Sequence, residues 1–179
     1  MAYIELENKM PGIVGLLTQF KKTAKPLTEL AQVLLRGDST MSAGERELIA
    51  ALVSYRNECQ FCMRSHGATA SHLLNGNKEL VKQVQQDFRS APVSKKMKAL
   101  LNIAAKVQKS GREVSEKDVS AARKEGATDQ EIHDTVLIAA AFCLYNRYVD
   151  GLGTFAPEDE AVYDEHGEEL AKDGYLQFN

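Results

Sequence analysis

Residues 45–66, Glu45 to His66, read ERELIAALVSYRNECQFCMRSH and hold two of the three cysteines, one of the four histidines and a carboxylate, Glu47, inside an apolar run. Ser42 with Glu45 forms a capping-box pattern, so a helix should begin there, carry Glu47 and run to about Asn57. A second helix is expected from near Cys59 to Gly76. Cys59 and Cys62 make a C-x-x-C, and His66 follows Cys62 by four residues, one helical turn on. If the chain reverses near Glu58, Glu47 lies eleven residues before the turn and His66 eight after it. At roughly 1.5 Å of rise per residue, their axial positions then differ by only about 4–5 Å. A packed helix hairpin would bring the carboxylate within reach of the imidazole.

Outward from this hairpin the chain reads as helix after helix, with almost no period-2 alternation. Pro11 to Ala24 and Pro26 to Leu35 each open with a proline near the first turn, where it is tolerated, and Gly37 closes the second. Lys78 to Arg89 is polar and expected at the surface. Ser94 to Ser110 places Met97, Leu100, Leu101, Ala104 and Val107 on one face and stops at Gly111. Ser115 with Asp118 starts a short helix, and Thr128 with Glu131 launches a long one through Tyr148. Between Val136 and Tyr145 the long helix is apolar nearly all round, which predicts a place at the bundle centre or in a subunit interface. The expectation is a single all-α helical-bundle domain over 1–179. Its N-terminal helices fall in 1–40, a core with the redox motif in 41–155, and an acidic tail in 156–179.

At 179 residues and 44% hydrophobic, the chain can bury a substantial core. A net charge of -3 argues against nucleic acid or an anionic membrane as a partner. The N-terminus MAYIELENK is acidic and lacks the pattern of a signal peptide. The longest apolar run is ten residues, too short to span a bilayer. Three cysteines suit a reducing compartment better than a disulfide framework, so a cytoplasmic location is expected.

A C-x-x-C at a helix start suits thiol redox chemistry. Free backbone N–H groups and the positive helix end stabilise a thiolate, and the spacing lets two sulfurs reach bonding distance. The helix end favours Cys59 as the reactive thiolate, whereas His66, one turn beyond Cys62, favours Cys62. The base is expected to dominate, making Cys62 the nucleophile and Cys59 the resolving thiol. Glu47 would orient the imidazole, and its burial without a partner would be costly. Other readings of the same residues are two small buried cysteines, a solvent-facing Glu47, or a zinc site of Cys59, Cys62, His66 and Glu47 that stabilises a binding module without turnover. Structural zinc sites usually bring a second Cys or His pair, and the sequence has none in place, so no metal and no cofactor is expected. Cys143 reads as a core residue, His72 and His133 as solvated, and His166 as part of the acidic tail. Lys95, Lys96 and Lys98 read as the wet face of their helix. Asn146 and Arg147, directly after the apolar run, should be partly buried and need partners.

The E-x11-C-x-x-C-x-x-x-H pattern of Glu47, Cys59, Cys62 and His66, in the context S-x-x-E-R-E-L-I-A, resembles the alkylhydroperoxidase D-like branch of the carboxymuconolactone decarboxylase superfamily. The run from Lys117 through Gly153, with G-A-T-D-Q-E-I and F-C-L-Y-N-R-Y-V-D-G-L-G, resembles its peroxidase-related subgroup. The resemblance implies an all-α fold, assembly as a homo-oligomer, and reduction of a hydroperoxide at the expense of a thiol or dithiol reductant. It also implies sulfenic acid formation at Cys62, with Cys59 as proton donor and resolving thiol and Glu47 with His66 as proton relay. The superfamily's decarboxylases lack the cysteine pair. A thiol–disulfide oxidoreductase with little peroxidase activity is the neighbouring alternative. Two positions depart from the resemblance. Phe61 stands where the best-known alkylhydroperoxidases have a histidine, and Cys143 stands where the subgroup has asparagine.

Overall fold

A computed structural model describes residues 2–176. Among them the chain forms nine α-helices, one short 3-10 turn and no strand. The helices are α1 (Gly12–Gln19), α2 (Lys21–Arg36), α3 (Ala43–Arg56), α4 (Gln60–Leu73), α5 (Lys78–Asp87), α6 (Lys95–Lys109), α7 (Glu116–Lys124), α8 (Asp129–Gly151) and α9 (Glu160–Asp173). The three capping boxes legible in the sequence are all formed, at Ser42/Glu45, Ser115/Asp118 and Thr128/Glu131. Each satisfies helix N–H groups that would otherwise lack acceptors, and so fixes where its helix begins.

The first helix pair differs from the proline-led expectation. The break falls at Phe20, with φ -103 and ψ 63, and α2 already runs from Lys21, so Pro26 lies inside the helix. Pro26 removes one backbone hydrogen bond there. Just beyond it, the Thr28 hydroxyl donates to the carbonyls of Ala24 and Lys25.

The centre of the bundle is α3. Every residue from Arg46 to Ser54 is buried, because α2, α4, α5, α6 and α8 all pack against this one helix. The long α8, expected at the bundle centre or in a subunit interface, buries Ile138, Ala139, Ala141, Phe142 and Tyr145 and leaves Leu137 and Leu144 exposed. Its apolar surplus faces outward within this chain. Lys96, read as solvated, instead reaches the buried Glu131 at 2.7 Å. Arg147 is exposed and donates to the Cys143 carbonyl, whereas Asn146 is fully buried.

Two aliphatic and aromatic clusters result. The larger joins α2, α3, α6 and α8 around Leu35, Leu48, Ile49, Leu101 and Phe142. The smaller surrounds Cys59 and Cys62 with Val14, Phe61, Val149 and Tyr163. Two glycines permit the close packing that closes the smaller cluster. Gly12, at φ +51, lets the Phe61 ring rest on its backbone, where any Cβ would collide. Gly167 of α9 sits where a Cβ would lie 2.7 Å from that of Ala68, so α9 lies tightly along α4. No helix among the described residues is long and apolar enough to cross a membrane.

Candidate active site

The hairpin between α3 and α4 is closed by residues 57–59. Glu58 takes a left-handed conformation (φ 58), and the Asn57, Glu58 and Cys59 N–H groups donate back to Val53, Tyr55 and Ser54. Neighbouring helices hold this turn through side-chain amides. Asn57 donates to the Asn146 carbonyl oxygen at 2.7 Å, Asn146 donates to the Ser54 hydroxyl at 3.1 Å, and Gln108 donates to Asn57 at 2.8 Å. Asn146 thereby finds the partner its position demanded. Cys143 is half-buried beside the same turn, within 3.7 Å of the Asn57 amide.

The reversal places Glu47 and His66 side by side. Glu47 Oε2 accepts from His66 Nδ1 at 2.9 Å. Nδ1 carries the proton for that bond, which leaves Nε2 as the ring nitrogen free to gain or release one. The carboxylate is completely buried, and two further groups compensate it. Arg36 Nη1 lies 2.9 Å from Oε1, and the Tyr175 hydroxyl donates to the same oxygen. Burial alone would raise the Glu47 pKa. The charge and hydrogen bond of His66, then Arg36 and Tyr175, outweigh it and hold the carboxyl below its ordinary range. Tyr175 also stacks on His66, with centroids 6.1 Å apart, and lies under the Arg36 guanidinium. On the other side, the Phe142 ring meets the imidazole edge-on at 4.5 Å. The ring of His66 is therefore fixed in both position and tautomer.

Cys59 is the N-cap residue of α4, and Cys62 sits in its first turn; both are free thiols and both are buried. A hydrogen bond to the Cys62 sulfur, reinforced by burial, pushes the Cys59 thiol far above the ordinary thiol range. Burial and the neighbouring sulfur thus oppose, at Cys59, the thiolate-stabilising effect of the helix end. The helix end acts on a thiol only as strongly as solvent and burial allow, and here burial with the neighbouring sulfur wins.

Cys62 and His66 open on one small cavity of about 50 Å³, walled mainly by aliphatic and aromatic side chains of α1, α2, α8 and α9. Ser65 and His166 line it as well. His166, assigned by sequence to the acidic tail, faces inward because Gly167 lets α9 press against α4. Its ring centroid is 6.4 Å from that of Phe61, so an imidazole from α9 stands beside the position where the resemblance led one to expect histidine. Burial, then the neighbouring His66, pushes His166 down to about 4. His72, read as solvated, is paired with Asp164 at 3.2 Å, while His133 is exposed. Arg36, Tyr175 and His166 carried no local signal in the sequence. The one available hint was that a buried Glu47 needs a cation. Among the described residues, no three His, Cys, Asp or Glu side chains are grouped as metal ligands, and Glu47 is taken up by Arg36, His66 and Tyr175.

Two measurements test this electrostatic arrangement. Arg36→Met strands a buried carboxylate and should lower the unfolding free energy at pH 7 by about 3–5 kcal/mol. Adding Glu47→Gln should restore part of that loss, since paired groups do not act additively. Equal, additive losses in urea unfolding would show that the pair is not coupled. The second test concerns pH. The folded His166 pKa, about 4, lies below the unfolded value near 6.5, so between those limits the unfolded chain binds a proton that the folded chain does not. This contribution is fully present above pH ~6.5 and is lost as pH falls toward 4. His166→Leu should flatten the slope of stability against pH in that window; an unchanged slope would contradict its burial as a neutral ring.

No protein-family model and no curated protein matches the sequence. Solved structures do. An uncharacterized peroxidase-related protein from Silicibacter sp. TM1040 superposes with a TM-score of 0.77 at 27% identity, covering 86% of this chain and 78% of its own. A peroxidase-related protein from Ralstonia eutropha JMP134, described as an alkylhydroperoxidase AhpD core, gives a TM-score of 0.78 at 27% identity, covering 89% and 82%. A protein of unknown function from Agrobacterium tumefaciens shares the fold at 19% identity with a TM-score of 0.65, covering 78% and 93%. In its all-helical architecture the chain is thus similar to peroxidase-related proteins, one of them with an alkylhydroperoxidase AhpD core.

Proposed function

We propose that this protein is a thiol-dependent peroxidase that reduces hydroperoxides through a Cys59–Cys62 disulfide cycle, with His66 and Glu47 as its proton relay. The observation that carries this reading is the position of His66. Its Nδ1 is held by the ionised Glu47, and its ring borders the cavity that contains Cys62. An oriented base beside a nucleophile is the arrangement that activates a thiol.

In the first step His66 Nε2 takes the Cys62 proton, and the sulfur attacks the terminal oxygen of R–O–O–H. The S–O bond forms, the O–O bond breaks, and the departing alkoxide receives the proton from His66 as alcohol. Cys62 is left as a sulfenic acid, oxidised by two electrons, with Glu47 stabilising the imidazolium formed on the way. Cys59, which has kept its proton, then attacks the Cys62 sulfur. An S–S bond forms, and the hydroxyl leaves with that proton as water. A dithiol reductant returns two electrons and two protons. The burial of both sulfurs favours a small peroxide over a protein disulfide as the oxidant, because a protein substrate could reach them only after the 57–62 turn opened.

The assignment of roles has a direct test. With Cys59→Ser, a dimedone-type probe should trap a sulfenic acid on Cys62 after peroxide; with Cys62→Ser, Cys59 should label little and Cys143 not at all. Labelling of Cys59 in the second variant, with none on Cys62 in the first, would reverse the roles. The outward Leu137 and Leu144 of α8, with the 67% exposed Val33 of α2, are the reason we further propose a homo-oligomer. Light scattering at micromolar concentration should give a multiple of the chain mass, and a monomer would contradict it.

A further inference from the structure

Ser65 lies between Cys62 and His66 on the inner face of α4, three residues after the sulfur and directly before the base. It is buried, yet among the described residues its hydroxyl has no hydrogen-bond partner. Buried helical hydroxyls ordinarily close onto the carbonyl of the preceding turn. In this protein Thr28, Thr69 and Thr135 all do so, donating to Ala24, Ser65 and Glu131 at 3.1, 2.9 and 2.7 Å. A buried polar group without a partner lowers stability, so its presence calls for a reason outside the fold. Of the two buried serines in this condition, Ser65 and Ser71, Ser65 is the one that lines the cavity holding Cys62 and His66.

That cavity, about 50 Å³, has room for a two-oxygen group and offers it few polar contacts. Most of its wall is aliphatic or aromatic, including Ile13, Leu17, Leu27 and Phe142. The reaction places a specific demand on such a site. As the sulfur attacks the terminal oxygen, negative charge grows on the oxygen that departs, and in an apolar cavity that charge needs a fixed donor. His66 is occupied with the proton it has taken from Cys62. We infer that the Ser65 hydroxyl binds the departing oxygen of the hydroperoxide, aligning the O–O bond with the Cys62 sulfur and stabilising the developing alkoxide. The inference rests on the peroxidase reading of the same site. Ser65 keeps its own proton throughout: the S–O bond forms, the O–O bond breaks, and the alkoxide is protonated from His66.

The test is Ser65→Ala, read in two ways. The first is the single-turnover rate at which the dithiothreitol-reduced, full-length chain consumes tert-butyl hydroperoxide. The second is the urea midpoint of unfolding. A hydrogen bond to a developing charge corresponds to about a 10–100-fold slower oxidation on its loss. The urea midpoint should stay level or rise, since a partnerless buried hydroxyl is being removed. Ser71→Ala, the matched control, should leave the rate unchanged. An unchanged rate in Ser65→Ala would overturn the assignment, as would a fall in stability with the rate, which would mean that the hydroxyl serves the fold. Failure of the wild-type chain to consume peroxide would overturn the peroxidase reading and this inference together, and is distinguished by appearing before any substitution is made.

Discussion

The arrangement turns on one carboxylate in a place without water. Glu47 sits in the middle of α3, the helix that every neighbouring layer packs against, and is completely buried. An ionised carboxylate there is tolerable only if charge and hydrogen bonds replace its hydration. Arg36, His66 and Tyr175 do this together, from three different segments: the end of α2, the inner face of α4, and the chain beyond α9. The requirement of a single side chain thus specifies how distant parts of the sequence close on one another.

That closure has further supports. Arg36 also donates to the Leu170 carbonyl of α9, the Tyr175 N–H donates to Gln32 of α2, and the Tyr145 hydroxyl of α8 donates to the Leu27 carbonyl. These bonds tie the N-terminal helices and the C-terminal segment together over the α3–α4 hairpin. The walls of the small cavity therefore come mostly from outside the motif that supplies its chemistry. Ile13, Leu17 and Leu27 enter from the first two helices, and His166 and Leu170 from α9.

Phe61 illustrates how a local departure is absorbed. Its ring fills the space over Gly12 and contacts Tyr163, so a bulky apolar group can replace a polar one without opening a void. The imidazole nearby comes from α9 instead. Cys143 is absorbed differently, against the Asn57 and Gln108 amides that hold the turn.

Helix class, the α3–α4 hairpin and the Glu47–His66 pairing were legible in the sequence because each is set by short-range geometry. Capping boxes mark helix starts, 3.6 residues per turn fixes which side chains share a face, and a tight reversal brings fixed positions opposite one another. Pro26 misled because a proline in an early turn is compatible both with starting a helix and with lying a few residues inside one. The sequence left α8 between the bundle centre and a subunit interface because apolar periodicity records how much surface seeks cover, and leaves open which neighbour covers it. The helix end alone would favour Cys59 as a thiolate; the burial and adjacent sulfur that oppose it belong to the packed state. Arg36, Ser65, His166 and Tyr175 acquire their roles only from tertiary packing. Their neighbours in sequence do not distinguish them from other helix and tail residues. What distinguishes them is the low-dielectric space around Glu47 and Cys62, which exists only once the helices have closed.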